Sequence, residues 1–438
     1  MRLGIAAALL LLACACGAPA RPPDILLFSV DTLRRDALRA YAPDAQELPH
    51  FDALAAQSAR FTRAVSTASW TLPAHASMLS GLHPDRHGAT DPGAQIAPSV
   101  ALLAERLAAR GYQTIGITEG GYLHRKYGFE RGFASYRDVK HAAGRGSCDD
   151  ARDFLAAGRD GRPLFLFLQT YAVHDYFQVR PRAAELLAAP PPRADAAKFV
   201  ACLRGTHACD AGEWRTLRAL YAAELRRLDD CAGALVAALP GADASVVVVT
   251  SDHGEGFDPA RGRIHHGGRL HEDQLRIPLL LRAPGAVARD ADVPASLVDV
   301  MPTLLALAGA ETPAGLDGRS LAPWLGSPTR ESDDRPQRAF EFHYSWWQGA
   351  RIEPSEQRQR PHALALIEGD HWYLRDAAGE SLYDVAADPE QRRDLAAETD
   401  LGALRRAAEE RAGPRVETPR VESDAELRRQ LEALGYVQ

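Results

Sequence analysis

Five short apolar runs set the architecture available to this chain. They are Asp24–Val30 (DILLFSV), Tyr112–Thr118, Pro163–Gln169 (PLFLFLQ), Ala244–Thr250 (ASVVVVT) and Arg276–Arg282. Apolar runs this short, with little alternation, read as strands buried on both faces. Between them lie segments with helical spacing. Val100–Arg110 is one, stopped by Gly111, and Leu297–Ala308 is another. The longest is Glu213–Leu239, where Trp214, Leu217, Tyr221, Leu225, Leu228, Leu235 and Leu239 form one core-facing stripe. Strands alternating with helices predict an α/β fold around a mostly parallel sheet.

The organisation changes along the chain. Pro190–Arg193 (PPPR) marks an insertion, and Ser327–Gln337 is rich in Ser, Pro, Asp and Arg. The second shift divides the chain into a large domain over 21–326 and a small α+β domain over 327–438. The small domain has strand-like pieces at Ala339–His343, His362–Ile367 and Trp372–Leu374, and two helical stretches near its end. A net charge of −7 with scattered Arg and Asp offers no basic footprint for nucleic acid.

Residues 1–20 read as an export signal. Arg2 supplies the positive start, Ile5–Leu12 the apolar run, and Leu11-Leu12-Ala13-Cys14 resembles a bacterial lipobox. The favoured expectation is lipidation at Cys14, with Cys16 second and plain cleavage after Ala18 or Ala20 as the alternative. The protein is then periplasmic or outer-membrane-associated, touching a membrane only through that anchor. Four further cysteines, Cys148, Cys202, Cys209 and Cys231, suit disulfides in such a compartment. Cys202 with Cys209 is the favoured pair, leaving Cys148 with Cys231, although sequence alone allows three pairings.

Ligands in open α/β sheets collect at the carboxyl ends of strands. Asp31 follows DILLFSV directly, and Asp252 and His253 follow ASVVVVT after Ser251. Two carboxylates and an imidazole converging from separate strands suit one divalent cation. Taken singly, each Asp fits equally well as a helix cap.

A series of segments adds to this. VDTLRRD (Val30–Asp36), TLPAHASMLSG (Thr71–Gly81), LHPDRHG (Leu82–Gly88), TSDHGEGF (Thr250–Phe257) and HHGGRLHEDQLRIPLLLRAPG (His265–Gly285) occur in that order. So do YGFERGFASY (Tyr127–Tyr136), VDVMPTLLA (Val298–Ala306), LDGRSL (Leu316–Leu321), LYDVAADP (Leu382–Pro389) and the ending LGYVQ. Together they resemble the successive blocks of the sulfatase family, in the alkaline-phosphatase superfamily. The resemblance implies an α/β/α sandwich with a smaller C-terminal four-stranded antiparallel domain. It also implies metal ligands at Asp31, Asp252 and His253, with His266 touching the metal or the ester oxygens and His174 touching the ester. Thr32 departs from the family's second Asp.

The nucleophile block departs most. The family pattern is Cys or Ser, any residue, Pro, any residue, Arg. Here it reads Thr71, Leu72, Pro73, Ala74, His75. The family's aldehyde nucleophile needs an unsubstituted β-carbon, which Thr lacks, and the partner Arg is His75. Phosphodiesterases and phosphoethanolamine transferases of the same superfamily use a metal-bound Thr. By that resemblance Asp31, Thr71, Asp252 and His253 make one site, and His174 and His266 contribute to a second. One or two divalent ions are implied, zinc, calcium or manganese. The leading expectation is a metal-dependent hydrolase of a sulfate or phosphate ester, small-molecule or glycan, with Thr71 as nucleophile. A phosphodiesterase or phosphotransferase is the second reading, and a catalytically weak, surface-tethered binding protein the third.

Overall fold

The structure, a computed structural model, describes residues 21–434 apart from 140–145, 193–194, 240, 242–243, 260–262, 327–334, 342–362, 410–415 and 417. The export segment with Cys14 and Cys16 lies outside the described residues, as do Arg193, most of Ser327–Gln337, His343 and His362. Among the described residues no helix is long and apolar enough to cross a membrane.

The strands in chain order are β1 (Ile25–Val30), β2 (Ala59–Val65), β3 (Gln113–Thr118), β4 (Ser135–Asp138), β5 (Leu164–Thr170), β6 (Val246–Thr250), β7 (Gly256–Asp258), β8 (Arg263–His265), β9 (Leu279–Arg282), β10 (Arg289–Ser296), β11 (Gln337–Glu341), β12 (Ala363–Glu368), β13 (His371–Asp376) and β14 (Gly379–Asp384). Eight of them form the central sheet, in the order β10–β2–β9–β6–β1–β5–β3–β4. All its pairings are parallel except those of β9, which runs antiparallel to β2 and β6. The five apolar runs correspond to β1, β3, β5, β6 and β9.

Strand alternation builds two cores. On β1, Ile25 and Leu27 face one layer with the helices Thr71–Ser80, Leu103–Ala109 and Val300–Leu307. Leu26, Phe28 and Val30 face the other, with the long helix Ala211–Ala238. The stripe from Trp214 to Leu235 packs there as expected. The result is the α/β/α sandwich, with β1 buried along its whole length between β5 and β6. Both expected disulfides are present. Cys148–Cys231 has its Cα atoms 6.1 Å apart, and Cys202–Cys209 5.4 Å.

Six strands, β2, β4, β7, β8, β10 and β14, escaped the sequence reading, and β7 and β8 are only three residues each. β2 (ARFTRAV) mixes Arg and Thr with its apolar residues, and β4 is four residues long. β10 carries Pro294 at a register shift on the sheet edge, where a missing N–H is tolerated. β14 is half polar.

The second sheet is antiparallel, β11–β12–β13–β14. It packs on the large domain through a shared cluster of Val65, Leu270 and Leu275 with Ala365, Ile367 and Trp372. The chain then returns. Helix Ala425–Ala433 sets Leu427 and Leu431 into the core of the large domain, and Gln430 Oε1 accepts from Gly121 N at 3.1 Å. This helix therefore packs on the layers of the eight-stranded sheet.

Candidate active site

β1 and β6 are parallel neighbours with Ser29 opposite Thr250, so Asp31 and Asp252 emerge from the same sheet edge. Ser251 ties the two ends together: its Oγ donates to Val30 O at 2.7 Å and accepts from Leu33 N at 2.9 Å. Thr32 turns the chain with φ 58°, a costly left-handed conformation for a β-branched residue. Its N–H donates to Asp252 Oδ1 at 3.3 Å, and its hydroxyl turns back onto Asp31 O at 2.7 Å. The position that departs from the family pattern thus contributes its backbone, not its side chain, to the site.

Thr71 begins the helix Thr71–Ser80, in which all ten residues are buried. Gly81, φ 71°, ends it in the left-handed conformation that favours glycine. Its N-cap residue is Trp70, and the positive end of the helix dipole lies at Thr71. Thr71 Oγ1 donates to Asp31 Oδ2 at 3.2 Å. Hydroxyl, carboxylates and imidazole therefore meet at one point.

Three buried atoms there make no hydrogen bond: Asp31 Oδ1, Asp252 Oδ2 and His253 Nε2. Asp31, Asp252 and His253 present their ligand atoms within 4.8 Å of one another. Asp252 Oδ2 is 3.3 Å from His253 Nε2. His253 Nδ1 lies 2.9 Å from Gly254 O; donating there, it leaves Nε2 deprotonated, the form that ligates a metal. Burial, and then Asp252, pushes the Asp31 carboxyl well above its ordinary range. Against its own burial, Asp252 is held low by His253 and His75. Buried carboxylates this close need positive charge between them, and the set fits a divalent cation.

His75 sits beneath this point. Its Nε2 is 2.9 Å from Ser29 Oγ, and its Nδ1 is 3.0 Å from Thr71 O and 3.4 Å from Asp252 Oδ2. It braces the first turn of the helix and Asp252 from the core side. Burial lowers its pKa, with Asp252 partly opposing. His174, from the segment after β5, joins from another direction. Its Nδ1 is 2.8 Å from Asp175 Oδ1, and Arg180 donates to Asp175 Oδ2 at 2.7 Å. The His266 ring lies 4.5 Å from that of His253 and 5.0 Å from that of His174. The structure thus gathers Asp31, Thr71, His75, His174, Asp252, His253 and His266 into one cluster.

Sequence reasoning passed over Glu255, His265, Asp175 and Arg180. Glu255 Oε2 is 3.3 Å from both His265 Nδ1 and His266 Nδ1. Burial lowers the pKa of both imidazoles, that of His266 well below its usual value. Glu255 is held well below the carboxylate range by the two rings, against its own burial. The signal was present, because Glu255 lies inside TSDHGEGF and His265 opens HHGG. Asp175 directly follows His174, where a carboxylate commonly fixes an imidazole's tautomer.

Topology and site together define an alkaline-phosphatase-like fold with a buried cluster of carboxylates and imidazoles at the end of β1 and β6. Comparison with known proteins narrows this. The sulfatase family profile matches residues 23–310, and that of the N-sulphoglucosamine sulphohydrolase C-terminal region matches 265–412. The chain belongs to the sulfatase family, a family of metal-dependent sulfuric ester hydrolases. It is 31% identical to human arylsulfatase A over 375 residues, covering 74% of this chain and 72% of that one. It is 32% identical to the multifunctional alkaline phosphatase superfamily protein PehA of Trinickia caryophylli over 283 residues, covering 56% of this chain. That match spans about half of PehA, 54%. Among solved structures, a 2-O GAG sulfatase superposes with a TM-score of 0.70 at 20% identity, covering 90% of this chain and 91% of that one. The phosphonate monoester hydrolase of Agrobacterium radiobacter also gives 0.70, at 21% identity and 89% and 94% coverage.

Proposed function

We propose that this protein hydrolyses a sulfate ester of a small molecule or glycan, with Thr71 as nucleophile and a divalent cation held by Asp31, Asp252 and His253. One observation carries the reading: the Thr71 hydroxyl donates to Asp31 Oδ2 at 3.2 Å, beside three buried ligand atoms without hydrogen bonds. A divalent cation held by Asp31, Asp252 and His253 would supply charge that acidifies a nearby hydroxyl and draws the ester oxygens. Asp31 Oδ2 stands where it can take the hydroxyl proton. The positive end of the helix dipole at Thr71 favours the negative charge of a sulfate group. His75 positions Thr71 and Asp252 from below. His174, its Nδ1 engaged by Asp175, can offer Nε2 to the ester. His266, its ring 4.5 Å from that of His253, adds a further imidazole beside the proposed cation.

A phosphate or phosphonate ester is the second reading, and Thr71 itself favours it, because Thr lacks the β-methylene that the sulfatase aldehyde requires. The A. radiobacter neighbour, a phosphonate monoester hydrolase, agrees with that choice. The two disulfides support an exported enzyme, in keeping with the export segment and a lipid anchor at Cys14. A side-by-side assay on an aryl sulfate, a phosphate monoester and a phosphate diester, with and without chelator, tests the proposal. Chelator-sensitive aryl sulfate turnover is expected to exceed the other two. Preference for a phosphate ester selects the second reading, and no turnover of any ester refutes both.

A further inference from the structure

The Cys202–Cys209 disulfide sits in a turn that hydrogen bonds also hold at both ends. Helix Ala196–Leu203 stops at Arg204, and the long helix Ala211–Ala238 starts after Asp210. Gly205 turns the chain with φ 65°, and Thr206 N and His207 N both donate to Ala201 O, at 2.9 and 3.1 Å. At the other end a reciprocal cap opens the long helix. Glu213 N donates to Asp210 Oδ1 at 2.8 Å, and Asp210 N donates to Glu213 Oε2 at 2.9 Å. The turn and the cap together set where Cys202, His207, Cys209 and Glu213 stand.

Those four side chains present two sulfurs, an imidazole nitrogen and a carboxylate oxygen within 4.8 Å of one another. His207 Nε2 lies 3.4 Å from Glu213 Oε2, while Lys198 Nζ holds the other oxygen, Oε1, at 3.0 Å. The Cα atoms of the two cysteines are 5.4 Å apart, near enough for both thiolates to reach one ion. Two thiolates with an imidazole and a carboxylate suit zinc. Zinc bonds of ~2.3 Å to sulfur and ~2.0–2.2 Å to nitrogen or oxygen place neighbouring ligands roughly 3.3–3.8 Å apart. The His207 side chain is 42% exposed, so an ion and a reductant reach it from solvent. Cys148 and Cys231 differ: among the described residues, neither belongs to a group with such spacing.

We propose that Cys202, His207, Cys209 and Glu213 form a redox-gated zinc site, remote in sequence from Thr71, closed to metal as the disulfide and open once a dithiol has reduced it. The dithiol gives two electrons to the Cys202–Cys209 bond and leaves as its own disulfide, so two cysteine thiols form. Zinc then takes both sulfurs as thiolates, and their two protons pass to solvent. An oxidising compartment keeps the site closed. Either cross-link ties the end of helix Ala196–Leu203 to the start of the long helix, so the exchange replaces one staple by another.

Cobalt(II) reports this site selectively, because thiolate ligands give it a sulfur-to-metal charge-transfer band and the cluster of Asp31, Asp252 and His253 holds no cysteine. The full-length protein carries Cys14→Ser and Cys16→Ser, so that only the two disulfide pairs can supply thiolates. It is reduced with dithiothreitol, desalted without oxygen, checked by thiol counting and titrated with cobalt(II), then with zinc. Reduced protein should develop the band and lose it to zinc, and unreduced protein should show none. Replacing Cys202 and Cys209 by Ser should abolish the band, whereas replacing Cys148 and Cys231 should leave it. His207→Ala should raise the cobalt Kd read from the band at least about tenfold. No band in the reduced protein, a band that survives loss of Cys202 and Cys209, or an unchanged Kd in His207→Ala overturns the site. A band in the unreduced protein overturns the gate.

Discussion

His87 lies under the helix that carries Thr71, and its protonation sets an acid limit on that helix. It is fully buried. Its Nδ1 accepts from Ala89 N at 3.1 Å, and its Nε2 is 3.2 Å from Pro73 O and 3.1 Å from Ser77 Oγ. The ring is therefore neutral, with its proton on Nε2, and a second proton on Nδ1 would face another donor. Burial, opposed by the bond to Pro73, brings its pKa down to about 3, against ~6.5 unfolded. Between those values the unfolded chain takes up a proton that the native ring refuses, so stability rises with pH across the window. It is complete above the unfolded value and falls as the pH drops toward about 3. The ceiling is roughly 5 kcal/mol, and between pH 7 and pH 5 the loss is about 2 kcal/mol. Glutamine at position 87 keeps a donor for Pro73 and removes the titration. Urea unfolding of wild type and His87→Gln at both pH values isolates the term, because the other buried histidines are common to both. Wild type should lose about 2 kcal/mol more than the variant over that interval. Parallel losses would refute the argument and mean that His87 is protonated in the native state.

Three further outcomes follow from the site and its frame. Asp252→Ala should lose bound divalent metal, seen by elemental analysis; unchanged metal content would remove Asp252 from the ligand set. Asp175→Asn should lower kcat by one to two orders of magnitude (about 1.4–2.8 kcal/mol of barrier) with little change in KM, because it frees the His174 tautomer without emptying the site. An equal rise in KM alone would point to substrate binding instead. Replacing both Cys148 and Cys231 by Ser removes a bridge across 83 residues, which chain entropy values at about 4.5 kcal/mol, whereas replacing Cys202 and Cys209, seven residues apart, should cost roughly 2.4 kcal/mol. Thermal melting ranks the two, and the reverse order would contradict the loop-entropy account.

The sheet was legible where strands are buried on both faces, because β1, β5 and β6 leave no position for a polar residue to face solvent. It was illegible at the β10 edge and in its neighbour β2. β2 and β10 carry Arg, Asp and Thr outward, and Pro294 in β10 argues against a strand except at a bulge. The helix from Thr71 to Ser80 gave no periodic signal because every one of its residues is buried, leaving no polar face. For the site, Asp31, Asp252 and His253 could be placed by their position after apolar runs. His174 and His266 needed the family blocks. Glu255 and His265 converge only through the pairing of β7 with β8 and a left-handed backbone at His265, neither of which residue type alone records. Thr32 departs from the family's second Asp, and with its left-handed backbone its N–H donates to Asp252 Oδ1.

The central claim is that Thr71 itself attacks the ester. Rapid quenching of the metal-loaded enzyme during turnover of an aryl sulfate, followed by peptide mass spectrometry, tests it most directly. The account predicts a transient sulfo group on the peptide containing Thr71, absent in Thr71→Ala, which should also lose turnover while melting like wild type. A sulfo group on another residue, or wild-type turnover in Thr71→Ala, would contradict it.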